Sequence, residues 1–108
     1  MVNVAVKSIT ELELHASLTE GVSVAAILDK VCWGSISEYF SDVLEELSQQ
    51  DAELNIVKIN KDDAKGLIEK YELSELPSTL LFVGNKFKEK IEGYMESEDI
   101  EDIMDNYK

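Results

Sequence analysis

The amino-acid sequence predicts an α/β fold in which a central mixed β-sheet carries helices on both faces. Three observations lead there. Apolar periodicity switches repeatedly between strand-like and helix-like along the chain. The segment 22–28 is apolar at six of its seven positions, the pattern of a strand buried on both faces. Near the C-terminus two strand-like runs flank Gly84-Asn85, a two-residue hairpin loop. Strands joined through helices run parallel and a hairpin adds antiparallel ones, so the sheet is mixed.

Each element has its own local reason. Val2, Val4 and Val6 alternate with Asn3, Ala5 and Lys7, which predicts a half-buried first strand. Thr10 and Glu13 have capping-box spacing, and Ile9, Leu12, Ala16 and Leu18 give the following helix an apolar face. Gly21 is placed to close that helix before the strand 22–28. Ser35 and Glu38 form a second capping box, with Ile36, Phe40, Val43, Leu44 and Leu47 on one helical face. Leu54, Ile56, Val57 and Ile59 mark a strand over 52–59. Asn60 then caps a short helix bearing Ala64, Leu67, Ile68 and Tyr71. Strands over 78–83 and 86–92 form the hairpin, and Ser97 caps a last helix with Ile100, Ile103, Met104 and Tyr107. The order is β-α-β-α-β-α-β-β-α.

A length of 108 residues predicts one domain spanning 1–108, with 44% apolar residues to fill its core. The charge is more selective. With 23 acidic and 10 basic side chains the net charge is −13, which repels phosphate backbones and anionic lipid. Nucleic acid and membrane are therefore excluded as partners, and a basic protein or peptide is favoured. No stretch approaches the ~20 apolar residues of a membrane span. The N-terminus lacks the basic and apolar regions of a signal peptide. A single cysteine allows no internal disulfide, so a reducing cytoplasmic compartment is the expectation.

Leu76-Pro77-Ser78-Thr79-Leu80-Leu81-Phe82 resembles the segment Ile-Pro-Thr-Leu-Leu-Leu-Phe of the thioredoxin family, and Gly93 matches the family's glycine after the hairpin. Phe82-Val83-Gly84-Asn85 is close to the family's Phe-Lys-Asn-Gly with the turn residues reversed. Together with the element order, the resemblance covers the whole chain and implies a thioredoxin fold. It also implies a cis bond before Pro77, which would free the Leu76 backbone for an extended peptide. The family's loop Trp-Cys-Gly-Pro-Cys is met here by Cys32-Trp33-Gly34-Ser35-Ile36, matched by position and by Gly34. On that register Trp33 replaces the attacking cysteine, Ile36 the resolving one and Ser35 the intervening proline. Ile27 falls where redox-active members hold a buried aspartate. Thiol–disulfide exchange needs one thiolate to attack and a second thiol to release the mixed disulfide. A dithiol reductase is excluded.

The remaining candidates each have two readings. Cys32 precedes a helix start that favours a thiolate, which makes it the one weak catalytic candidate. Against this, free cysteines commonly act as small hydrophobes. Trp33 is either a lid on the end of the sheet or an exposed anchor for a partner. Pro77 is either a tolerated first strand residue or the edge of a groove. His15 stands alone, with no second histidine or nearby cysteine to complete a metal set. Glu96, Glu98, Asp99, Glu101 and Asp102 lack the spacing and central glycine of a calcium loop and read as a solvated helix start. No metal and no cofactor is expected.

The leading functional expectation is a redox-inactive thioredoxin-like module that binds protein or peptide through Trp33, Gly34, Ser35, Leu76 and Pro77. Multidomain monothiol glutaredoxins begin with such a domain carrying a degraded motif. The resemblance therefore extends to thiol-redox or iron–sulfur pathways and to a longer parent chain. Two alternatives remain open: a monothiol oxidoreductase using Cys32, with glutathione as its thiol, and a structural subunit of a larger complex.

Overall fold

A computed structural model describes residues 6–29, 34–50 and 54–107. Its elements follow the expected order: β1 (Val6–Ile9), α1 (Glu11–Ser17), β2 (Val22–Leu28), α2 (Ile36–Gln50), β3 (Asn55–Asn60), α3 (Lys65–Lys70), β4 (Ser78–Val83), β5 (Lys86–Glu92) and α4 (Ser97–Met104). The strands lie in the order β1-β3-β2-β4-β5. β1 and β2 run parallel to β3, whereas β4 runs antiparallel to β2 and to β5. The mixed sheet and its central strand are as the sequence predicts.

β2 explains the architecture. Every one of its residues is buried, because neighbours pair on both edges and helices cover both faces. Val24, Ala26 and Leu28 point to the side of α2 and α4, where Phe40, Leu44, Leu47, Ile100 and Met104 close the core. Ala25 and Ile27 point to the side of α1 and α3, against Leu14, Val57, Ile59, Leu80 and Phe82. The small side chains at 25 and 26 let helices approach the sheet closely from either side.

Local details depart from the sequence expectation where a helix is short or ends early. Leu12 and Ala16 were expected on the buried face of α1. Instead Leu14 is buried, Ala16 is exposed and Leu12 is 89% exposed. Seven residues make barely two turns, so one inward side chain anchors α1, with half-buried Leu18 just past its end. Ile9, assigned to that helical face, is the last residue of β1. Gly21 does not close α1, which ends at Ser17; it leads into β2, and its carbonyl accepts the Gly84 N–H at 3.1 Å. The strand expected over 52–59 is Asn55–Asn60, with residues 51–53 outside those described. Val2 and Val4 of the expected first strand also lie outside them. Asn60 leads first into a 3₁₀ turn, Lys61–Asp63, and makes no side-chain cap. Glu96, not Ser97, is the N-cap of α4.

Two devices finish the frame. α3 ends with the Leu73 N–H bonded to the Ile68 carbonyl and the Glu72 N–H to that of Glu69, with Glu72 left-handed at φ 53°. In the hairpin, Gly84 takes φ 60°, and the register shifts at Lys88, between the Leu81–Glu89 and Phe82–Phe87 pairs. Exposed Lys86, Lys88 and Lys90 decorate this edge strand, as charges commonly do where a sheet would otherwise recruit another strand.

Candidate functional site

The antiparallel register brings the site together. Ile27 of β2 pairs with Ser78 of β4, so the residues leaving β2 and those entering β4 lie side by side at one end of the sheet. Gly34-Ser35 and Leu76-Pro77 therefore share that end. Cys32 and Trp33 lie outside the described residues.

The loop closes onto α2 through its own polar groups. Gly34 sits at φ 80°, a left-handed conformation that suits glycine. Its N–H donates to Glu38 Oε1 at 3.3 Å, while Ser35 Oγ accepts the Glu38 N–H at 3.1 Å. The reciprocal cap between Ser35 and Glu38 thus forms, with the carboxylate reaching one residue further back than a standard capping box. Just before it, the Asp29 carboxylate meets Lys61 at 3.0 Å across the β2 and β3 ends. That hydrogen bond and ion pair hold the Lys61 ammonium above its usual lysine range.

Facing this loop, the segment 74–77 is held at both ends, and within it the Glu75 carbonyl accepts the Ser78 hydroxyl. The Glu92 carboxylate accepts the Ser74 N–H at 2.6 Å, and this hydrogen bond holds its pKa below the usual carboxylate range. The Pro77 carbonyl accepts the Gly93 N–H at 2.8 Å. The Leu76–Pro77 bond is cis, Pro77 is buried and Leu76 half-buried. Among the described residues, nothing pairs with the Leu76 backbone N–H or C=O.

Burial along α2 departs from the expected helical face at its first residues. Ile36 was expected on the buried face with Phe40, yet it is 53% exposed, whereas Ser37 is 1% exposed. The buried residues of α2 are Ser37, Phe40, Val43, Leu44, Leu47 and Ser48. Slid one residue to match, Trp33-Gly34-Ser35-Ile36-Ser37 lies on Trp-Cys-Gly-Pro-Cys with tryptophan on tryptophan. Gly34 and Ser37 then occupy the thiol positions, and the acid position moves from Ile27 to Leu28, which is 2% exposed. Either register places no sulfur and no carboxyl there. The signal for this second register is the Trp33 match itself, together with the helical period counted from Ser37.

Ser37 Oγ and Thr79 Oγ1 are both buried and without a hydrogen-bond partner among the described residues. Thr79 lies opposite Ala26, alternating with Leu81 on the α2 side of β4. Replacing it by valine keeps the shape and removes a desolvated hydroxyl. Thr79→Val is expected to stabilise the fold by about 1 kcal/mol in denaturant unfolding. A loss of stability would show that the hydroxyl is paired.

Elsewhere the described residues include the following clefts. One, of about 350 Å³, is bordered by Ser8, Thr10, Ser41, Asn60 and Lys58, whose ammonium donates to Ser41 Oγ at 3.2 Å. Another, of about 420 Å³, lies between α1 and α3 and includes Tyr71, Phe82 and Phe87. His15 is exposed beside that second cleft, away from the groove. No group of three or more metal-ligating side chains occurs among the described residues, so neither His15 nor the acidic start of α4 joins a cluster. Among them, no helix is long and apolar enough to cross a membrane.

Comparison with known proteins agrees with this geometry. No protein-family model matches the chain. The thioredoxin of Staphylococcus epidermidis is 22% identical over 104 residues, covering 95% of this chain and 98% of its own length. The thioredoxin of Staphylococcus aureus is 21% identical over the same coverage. Among solved structures, a point mutant of thioredoxin from Halobacterium salinarum NRC-1 superimposes with a TM-score of 0.79 at 20% identity, covering 94% of this chain and 89% of that one. Chloroplastic thioredoxin z gives 0.81 at 16% identity, covering 99% and 97%.

Proposed function

We propose that this chain, which belongs to the thioredoxin superfamily, is a protein- or peptide-binding module that performs no dithiol exchange. The observation that carries the reading is chemical. The whole chain has one cysteine, and the loop into α2 with its first residues presents Gly34, Ser35, Ile36 and Ser37 in place of a thiol pair. What remains is a groove where the Leu76 backbone has no partner among the described residues and apolar side chains lie beside it. An extended peptide can hydrogen-bond to such an edge and seat side chains in the adjoining surface. A thiol-redox or iron–sulfur pathway in a reducing cytoplasmic compartment belongs to the same proposal. It draws on the single cysteine and on the likeness to N-terminal domains of monothiol glutaredoxins.

A second reading is favoured by the relatives, which are thioredoxins matched over nearly their full length. Under it Cys32 works alone as a monothiol oxidoreductase. An insulin-reduction assay with dithiothreitol as electron source separates the two. The protein is expected to leave the background rate unchanged, and Cys32→Ser is expected to match the parent. Turnover that disappears in Cys32→Ser would overturn the binding-module reading and establish the second.

A further inference from the structure

We propose that the exposed surface formed by Ile36, Tyr39 and Tyr94, beside the groove, docks a partner segment in which a lysine or arginine stands next to an apolar residue. The inference rests on the binding-module reading and names the chemistry of the partner.

Among the described residues, Leu12 and Phe87 are exposed elsewhere, and three other large exposed apolar side chains fall on this surface. Ile36 and Tyr39 are 53% and 57% exposed, and Tyr94 is also exposed. They adjoin. Ile36 and Tyr39 are one turn apart on α2, and the Tyr94 ring meets buried Phe40 edge-on at 5.9 Å, flanking the same helix. Tyr94 follows Gly93, whose N–H bonds to the Pro77 carbonyl, so this patch reaches the groove.

The frame around it carries one sign of charge. Asp42 and Glu46 continue the stripe of Tyr39 along α2, and Glu96 accepts the Tyr94 hydroxyl at 3.2 Å. The Tyr94 phenol feels all three: partial burial first, then Glu96, Glu46 and Asp42, hold its proton more tightly than in a free tyrosine. Neither α2 nor α4 contains a lysine, arginine or histidine. A cation arriving over this surface meets three carboxylates and two phenol rings, which attract it electrostatically and through their faces. Its apolar neighbour covers Ile36. The same charge opposes a second copy of this chain docking by a two-fold axis through this patch, because like carboxylates would meet. An acidic partner is repelled for the same reason.

The test selects short random peptides on the intact protein and measures the affinity of the selected sequences. Enrichment of lysine or arginine beside aliphatic or aromatic residues is expected. The double variant Asp42→Asn, Glu46→Gln should bind them about 5- to 10-fold more weakly, and Tyr39→Ala at least as weakly, with binding also falling at raised salt. All three positions are exposed, so the circular dichroism and melting of these variants should match the parent. Peptides whose affinity falls with Leu76→Ala yet ignores the charge and tyrosine variants would overturn this inference and leave the groove reading standing. Selection of acidic sequences would overturn it as well. Failure to select any peptide would overturn both.

Discussion

Truncating Phe40 to alanine is expected to cost about 3–5 kcal/mol, a large share of the roughly 5–15 kcal/mol that stabilises a domain of this size. Phe40 is fully buried in the first turns of α2, packed with Val24, Ala26 and Leu44 on one side of the sheet. Its removal leaves a void under the helix that positions Ser35 and Ile36, and it strips Tyr94 of its aromatic neighbour. Equilibrium denaturation should show the loss directly. The adjacent Tyr39→Ala should stay within about 0.5 kcal/mol of the parent, as exposed substitutions do. Equal losses at positions 39 and 40 would mean that α2 is rotated from the orientation described.

Ile27→Asp is expected to be as severe. Ile27 is fully buried in β2, enclosed by Ala25, Ile59, Leu73 and Leu80 on the α1 and α3 side. A carboxylate there would have no counter-charge in contact, and an uncompensated buried charge costs several kcal/mol. Leu28→Asp should fail similarly, whereas Ile27→Val should lose only about 1 kcal/mol. The pH dependence has a defined sign. Burial raises the pKa of the introduced carboxyl in the folded state above its unfolded value of about 3.9. Stability should therefore be greatest below about pH 4 and decline as pH rises until the raised folded pKa is passed. A variant equally stable at acidic and neutral pH would show that the position is hydrated. The acid that assists proton transfer in redox-active relatives thus has no ready seat in this core.

The fold was legible because its strongest signals are long-range and redundant. The apolar run at Val22–Leu28 could only be a strand covered on both faces, and Pro77 with Gly84-Asn85 located the hairpin beside it. Short elements were not legible in detail. Leu12 and Leu14 are equally apolar, and only the packing of α1 against α3 decides that Leu14 turns inward. Likewise Ile36 carries a stronger hydrophobic signal than Ser37, yet the packing of α2 exposes the isoleucine and buries the serine. A hydropathy pattern alone does not separate two motif registers that differ by one residue. The openness of the Leu76 backbone depends on Ser74, Pro77 and Gly93 being held by partners distant in sequence. Local patterns carry no trace of that.

The seat of β2 at the centre of the sheet also governs what happens while the chain is being made. β2 ends at Leu28, but its two neighbours are supplied by residues 55–60 and 78–83. Until β4 has left the ribosome, the strand most apolar on both faces stands with one edge unpaired, a template for any other nascent strand. The domain cannot close from residues 6–60 alone, and cutting the chain before Ser78 leaves that edge bare. For this protein, stable folding waits for the residues of β4. A partner that grips the groove beside Leu76 can bind only after that moment.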